Sequence, residues 1–125
     1  MNYPSYESAL EAAGLKVLAF EMFGSYQGDW LARVKRGRKL GWIAGSFGSC
    51  SYCDALEAEL GYEATPEAIR AFGERYLDGF MDDAAALKYV SRNISWDLDA
   101  EDMVDFILKH SQRDLKRPEK FREAS

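Results

Sequence analysis

Three short runs of alternating residues within 16–46, set apart by gaps of no more than five residues, are the feature that most narrows what this chain can fold into. From Lys16 to Phe23, Leu18, Phe20 and Met22 fall on one side and Val17, Ala19, Glu21 and Phe23 on the other, which is the two-residue period of a strand. Gly24-Ser25-Tyr26-Gln27-Gly28 is the loop after it, and Asp29 to Lys35 repeats the pattern with Trp30, Ala32 and Val34 on one face. Arg36-Gly37-Arg38 supplies a short glycine-containing connection to a third run, Lys39 to Ser46. Connections this short join neighbouring antiparallel strands, so the three runs form a meander. That topology places the loop 24–28 and the stretch from Gly45 onward at one end of the sheet. The basic hairpin of Arg33, Lys35, Arg36, Arg38 and Lys39 lies at the other end.

Helix signals sit outside that span. Ser5 and Ser8 precede an alanine-rich stretch that Gly14 stops, giving a helix over 5–13 with Tyr6, Leu10 and Ala13 on one face. Ser51 and Asp54 form a capping pattern ahead of a helix over 51–60, and Gly61 ends it. Thr65-Pro66-Glu67 starts another, with a hydroxyl at the cap, proline in the first turn and an acid beside the dipole. Its apolar stripe is Ile69, Phe72, Gly73, Tyr76 and Phe80. Gly79 followed by Asp82-Asp83 marks a break and a fresh helix carrying Leu87 and Val90. Asn93 to Leu98 reads as an extended connection, after which Asp99-Ala100-Glu101-Asp102 caps a last helix with Met103, Phe106, Ile107 and His110 inward. The expected class is α+β, a three-stranded antiparallel meander packed with about four to five helices. With 125 residues, 47% of them hydrophobic, the chain can bury a core without disulfides. Trp30, Trp42, Phe20, Leu56, Phe72, Tyr76 and Phe106 are its expected members. One domain is expected over 1–112, and 113–125, basic and broken by Pro118, reads as a loosely ordered tail.

The net charge of −5 conceals a division along the chain. Residues 1–46 hold six basic and four acidic groups, 47–105 four basic and fourteen acidic, and 106–125 six basic and three acidic. Such asymmetry bears on the sign of partners rather than on fold. Asp78, Asp82, Asp83, Asp97, Asp99, Glu101 and Asp102 read as a negative surface presented to a protein partner, where a nucleic acid otherwise sits. The basic hairpin reads as a solvated tip, and the acidic centre repels phosphate, so no direct nucleic-acid binding is expected. No apolar run approaches the roughly 18 residues of a membrane span, and Met1-Asn2-Tyr3-Pro4 lacks the regions of a signal peptide, so a cytoplasmic protein without membrane contact is expected.

Gly45-Ser46-Phe47-Gly48-Ser49-Cys50-Ser51-Tyr52-Cys53-Asp54 brings glycines, three serines and a C-x-x-C together ahead of a helix start. The simplest reading is a tight, capped turn with two small buried thiols. A Gly/Ser loop leading into a helix N-terminus can also hold an anion, which nominates Ser25, Tyr26, Gly48, Ser49 and Ser51 as contacts for a small anionic or nucleotide-like ligand. A redox role for Cys50 and Cys53 fits less well, because such motifs sit in βαβ units and these strands are antiparallel. Zinc needs about four ligands; Cys50, Cys53 and His110 leave the set short, so neither metal nor cofactor is expected. Ser49 and Ser51 have a single histidine to call on and no spacing that ties it to them, so no catalytic residue is assigned.

At Phe23-Gly24-Ser25-Tyr26-Gln27-Gly28-Asp29-Trp30 and Gly45 through Ala55 the chain resembles small uncharacterised proteins encoded by bacteriophages and bacteria. The likeness covers roughly residues 16–60, with a weaker echo in Trp96-Asp97-Leu98, and departs from the usual pattern at Phe47 and Tyr52, where tyrosine and glycine are more usual. It implies a phage or mobile-element setting and carries over no catalytic residue. The resulting expectation is a small phage-type interaction protein, an inhibitor of a host anti-phage defence protein acting through its acidic surface. The alternative is a binder of a small anionic ligand at the Gly/Ser loop end of the sheet.

Overall fold

The computed structural model describes residues 5–24, 28–48, 60, 65–93, 97–111 and 115. The chain divides into two compact units, Met1–Phe80 and Met81–Ser125. The first opens with helix α1, Tyr6–Ala12, held at both ends by its own sequence. The Ser5 hydroxyl accepts from the Ser8 N–H at 3.0 Å, and the Ser8 hydroxyl accepts from the Ser5 N–H at 2.8 Å, a reciprocal capping box. At the other end Gly14 takes φ +99°. Its N–H donates to the Glu11 carbonyl and the Leu15 N–H to the Leu10 carbonyl, at 3.0 and 3.1 Å. This is the Schellman closure, in which Leu10 and Leu15, both buried, also meet across the turn.

Strands β1 (Lys16–Gly24), β2 (Gly28–Arg36) and β3 (Lys39–Phe47) form the expected antiparallel meander in the order β1-β2-β3. Arg36 pairs with Lys39 across a two-residue turn in which Gly37 has φ +62°. A first central residue at positive φ, followed by one that is not, marks the type II′ turn, whose twist matches the strands it joins. One irregularity modifies the alternation: Val17 pairs with Val34 but Ala19 with Arg33, so Leu18 is an extra residue and β1 carries a bulge. The bulge puts Val17 on the face of Phe20, whereas simple alternation assigns it to the opposite one. That face packs on α1 and on the helix that follows, with Trp30, Ala32, Val34 and Ile43 beside Tyr6, Ala9, Leu10, Leu15 and Phe72 in the core.

The other face of the sheet is buried as well. Phe23, Leu31 and Trp42 are covered, and with them Arg33, only 3% exposed. Arg33 is therefore not part of a solvated tip: its guanidinium lies 5.2 Å from the Trp42 ring centroid and donates to the Gly41 carbonyl at 3.5 Å. The reason is parity. Arg33 shares the face of Leu31, and its in-register partner is Trp42, which lays an aromatic surface under the flat cation.

Helix α2, Pro66–Glu74, begins at the expected signal, with the Thr65 hydroxyl accepting from the Ala68 N–H at 3.1 Å. Thr65→Ala should lower stability by about 1 kcal/mol, measured as a shift of the denaturation midpoint. The helix does not run through the whole predicted stripe. Bonds from Arg75 to Phe72 and from Tyr76 to Gly73 tighten its end into a 3-10 turn over Leu77–Gly79, yet Tyr76 and Phe80 still pack on the same core. The helix expected over 51–60 lies outside the described residues except for Leu60, which is helical.

In the second unit, α3 (Asp83–Asn93) starts where the Asp82 carboxylate accepts from the Ala85 N–H at 2.7 Å. Helix α4, Asp97–His110, begins two residues earlier than the capping pattern at Asp99 suggests. Asn93, Asp97 and Leu98 are thus helical rather than parts of an extended connection; Asp99 then falls within the first turn, where an acid complements the helix dipole. The two helices pack together, with Ala86, Leu87 and Val90 of α3 and Ala100, Met103, Val104 and Ile107 of α4 buried. Of the expected core, Trp30, Trp42 and Phe72 are fully buried and Phe20, Tyr76 and Phe106 half-buried, while Leu56 lies outside the described residues. No described helix is long and apolar enough to cross a membrane.

Candidate functional site

The register confirms which loops share an end. Gly24 pairs with Gly28 and Gly28 with Phe47, so the strand ends that flank residues 25–27 and the end of β3 leading to Gly48 lie at one end of the sheet, with the Gly37 turn at the other. Of the nominated ligand contacts only Gly48 is described; Ser25, Tyr26, Ser49 and Ser51, like Cys50 and Cys53, lie outside the described residues.

Just inside that edge the sheet carries a dense aromatic group. Trp30 pairs with Met22 and Gly45 and has no exposed surface. Tyr6, Phe20 and Tyr76 surround it with ring centroids at 5.1, 5.5 and 5.2 Å, and Phe72 closes the group against Tyr6 and Tyr76 at 6.1 and 5.7 Å. Gly45 is what admits the indole. A Cβ built there meets Trp30 Cζ2 at 2.3 Å and Nε1 at 2.7 Å, closer than real atoms approach. Trp30 Nε1 is buried without a hydrogen-bond partner, an uncommon state for an indole donor.

Glu21 and Asp29 are near this end, and the sequence allows them to face each other. The register does not put them opposite: Glu21 pairs with Leu31 and Asp29 with Phe23, which makes them diagonal neighbours on one face, about 7–8 Å apart at that spacing. Among the described residues no group of three or more His, Cys, Asp and Glu side chains is placed to hold a metal ion. His110 stacks on Phe106 one helical turn before it, ring centroids 4.7 Å apart.

The comparisons with known proteins add no guide. No family model, curated protein or solved structure matches the chain.

The nominated acidic residues fall in both units. Asp78 is exposed on the 3-10 turn of the first. Asp82 is exposed and caps α3, Asp83 and Asp99 are half-buried, Glu101 and Asp102 are exposed on α4, and Asp97 opens that helix. Sequence reasoning missed Asp105. It is exposed on α4, four residues after Glu101 and three after Asp102, and so shares their face; that spacing alone was enough to find it.

Proposed function

We propose that this is a small phage-type interaction protein that occupies a host defence protein in the cytoplasm through the acidic surface of its second unit. The observation that supports the reading is the exposed face of α4, where Glu101, Asp102 and Asp105 stand together while the opposite face is buried. Like charges three and four residues apart weaken an isolated helix by a few tenths of a kcal/mol per pair. A stripe kept at that cost suits a partner whose surface is positive, such as one that grips nucleic acid.

The test is a pull-down from host lysate, followed by binding measurements with the captured protein. Glu101→Gln, Asp102→Asn and Asp105→Asn together should weaken the complex by about tenfold or more, and rising salt should weaken it further. Unchanged affinity in the triple variant would leave the stripe as a solvated face. A second reading, a small anionic ligand at the Gly/Ser loop end, is favoured by the register, which brings the end of β1 at Gly24, the start of β2 at Gly28 and the end of β3 at Phe47 to one end of the sheet. Release of a small anion when the purified protein is denatured is the result it expects.

A further inference from the structure

The opposite end of the sheet carries five cations with no such reading attached. Lys16, Lys35, Arg36, Arg38 and Lys39 are all exposed, and none of their side chains forms an ion pair among the described residues. The register then sets like charges against each other twice: Lys16 is directly opposite Lys35, and Arg36 directly opposite Lys39. Directly opposed like charges destabilise a sheet, and side chains in such pairs start only about 4.5–5.5 Å apart. This concentration occurs in a chain with 21 acidic residues against 16 basic ones, yet no acid among the described residues pairs with these side chains.

We propose that this tip binds the phosphate backbone of a nucleic-acid duplex. Three features favour phosphate over the surface of an acidic protein. First, residues 35–39 are all cations apart from Gly37, so the turn itself offers no aromatic or aliphatic anchor of the kind that carries affinity in protein interfaces, and Leu18 is a single exposed apolar side chain on the neighbouring strand. Second, the cations leave both faces of the ribbon. Lys35 has the parity of Leu31 and Arg33, Arg36 that of Trp30 and Val34, and Arg38 sits in the turn itself. A two-stranded ribbon fits the major groove, where phosphates flank it on both sides. Third, Arg36 and Arg38 supply planar forks that match phosphate oxygens in pairs. Arg36 to Lys39 also extend past the start of β1, since Lys16 reaches only to Lys35, and all four residues are exposed. With no aromatic side chain to stack on bases, the contact reads backbone and not sequence.

This assignment departs from the sequence-level expectation of a merely solvated tip, and it is independent of the acidic-surface reading, which concerns the other unit. The net charge of −5 opposes approach at long range, so binding is short-ranged and strongly dependent on salt. The experiment is fluorescence anisotropy of a labelled duplex of roughly 20 base pairs with the full chain, starting at about 50 mM salt. Binding is expected there, with log K falling against log salt at a slope of about −2 to −4.5, as for roughly two to five neutralised phosphates. Lys35→Glu with Arg38→Glu should weaken it at least about tenfold without lowering the melting temperature, because a carboxylate opposite Lys16 attracts it where the lysine repelled it. Arg36→Gln with Lys39→Gln tests the same tip from its other face should the first variant fail to fold. Absence of binding at low salt, or affinity untouched by a folded tip variant, overturns the proposal. Displacement of the duplex by poly-glutamate at lower charge concentration than by unlabelled duplex also overturns it, in favour of an acidic protein partner.

Discussion

Replacing Trp30 by alanine should cost about 3–5 kcal/mol, read from the shift of the chemical denaturation midpoint. The side chain is wholly buried among Tyr6, Phe20 and Tyr76, so its removal loses the transfer energy of an indole and also the ring contacts that join α1, the sheet and the residues after α2. Against the roughly 5–15 kcal/mol that typically separates folded from unfolded states, this is a large share. The orphan N–H at Nε1 works the other way, since an unpaired buried donor is itself unfavourable. It reduces the loss without reversing it, because burial of the ring system is the larger quantity. A double-mutant cycle isolates the contact with Gly45. Gly45→Ala alone drives a Cβ to within 2.3 Å of the indole, but in the Trp30→Ala background that space is empty. The two changes should therefore couple by about 2 kcal/mol or more in the compensating direction. Strict additivity would show that the indole is not held where this geometry places it.

Much of the first unit was legible in the sequence because its signals are local. Ser5 with Ser8, Gly14, Gly37 and Thr65-Pro66 each act within a few residues of their own position, and each makes the turn or cap that its chemistry indicates. The features that were not legible depend on what lies across the fold. Arg33 sits in a run of cations and reads as solvent-facing until β3 is in register, when its partner is seen to be Trp42. The bulge at Leu18 leaves no mark in composition, since either face of β1 is apolar enough to go inward. The start of α4 was misplaced for a different reason. Asp97, Asp99, Glu101 and Asp102 all suit a first turn, and their chemistry does not rank one start above another. The acidic set looked continuous in sequence, whereas Asp78 belongs to the unit before the others. The Gly/Ser loop contacts, apart from Gly48, lie outside the described residues and stay where the sequence put them, as an expectation.

Gly73→Ala is the second change expected to have a large effect, and here two principles oppose each other. Gly73 is inside α2, where alanine in place of glycine ordinarily stabilises a helix by about 1 kcal/mol. Its position against α1 reverses the sign. A Cβ at Gly73 would lie 1.8 Å from the Ala9 carbonyl oxygen, 2.5 Å from the Ala9 carbonyl carbon and 3.1 Å from Ala13 Cβ. The nearest of these atoms are backbone, so no rotamer change relieves the contact. That carbonyl already accepts the Ala13 N–H at 3.1 Å, and α1 is fixed by its capping box at one end and the Schellman closure at the other. The helices must therefore separate by more than an ångström, which withdraws Tyr6 and Leu10 from Trp30 and opens the core between them. A clash with backbone puts this at the upper end of the about 1–3 kcal/mol that overpacking costs, and with about 1 kcal/mol of helix-propensity gain set against it the net loss should be about 2 kcal/mol. Serine at the same position should be worse than alanine, having the same Cβ and a lower helix propensity. A measured gain in stability for Gly73→Ala would mean that α1 slides freely over α2, and that the close approach of Gly73 to Ala9 does not hold the two helices in place.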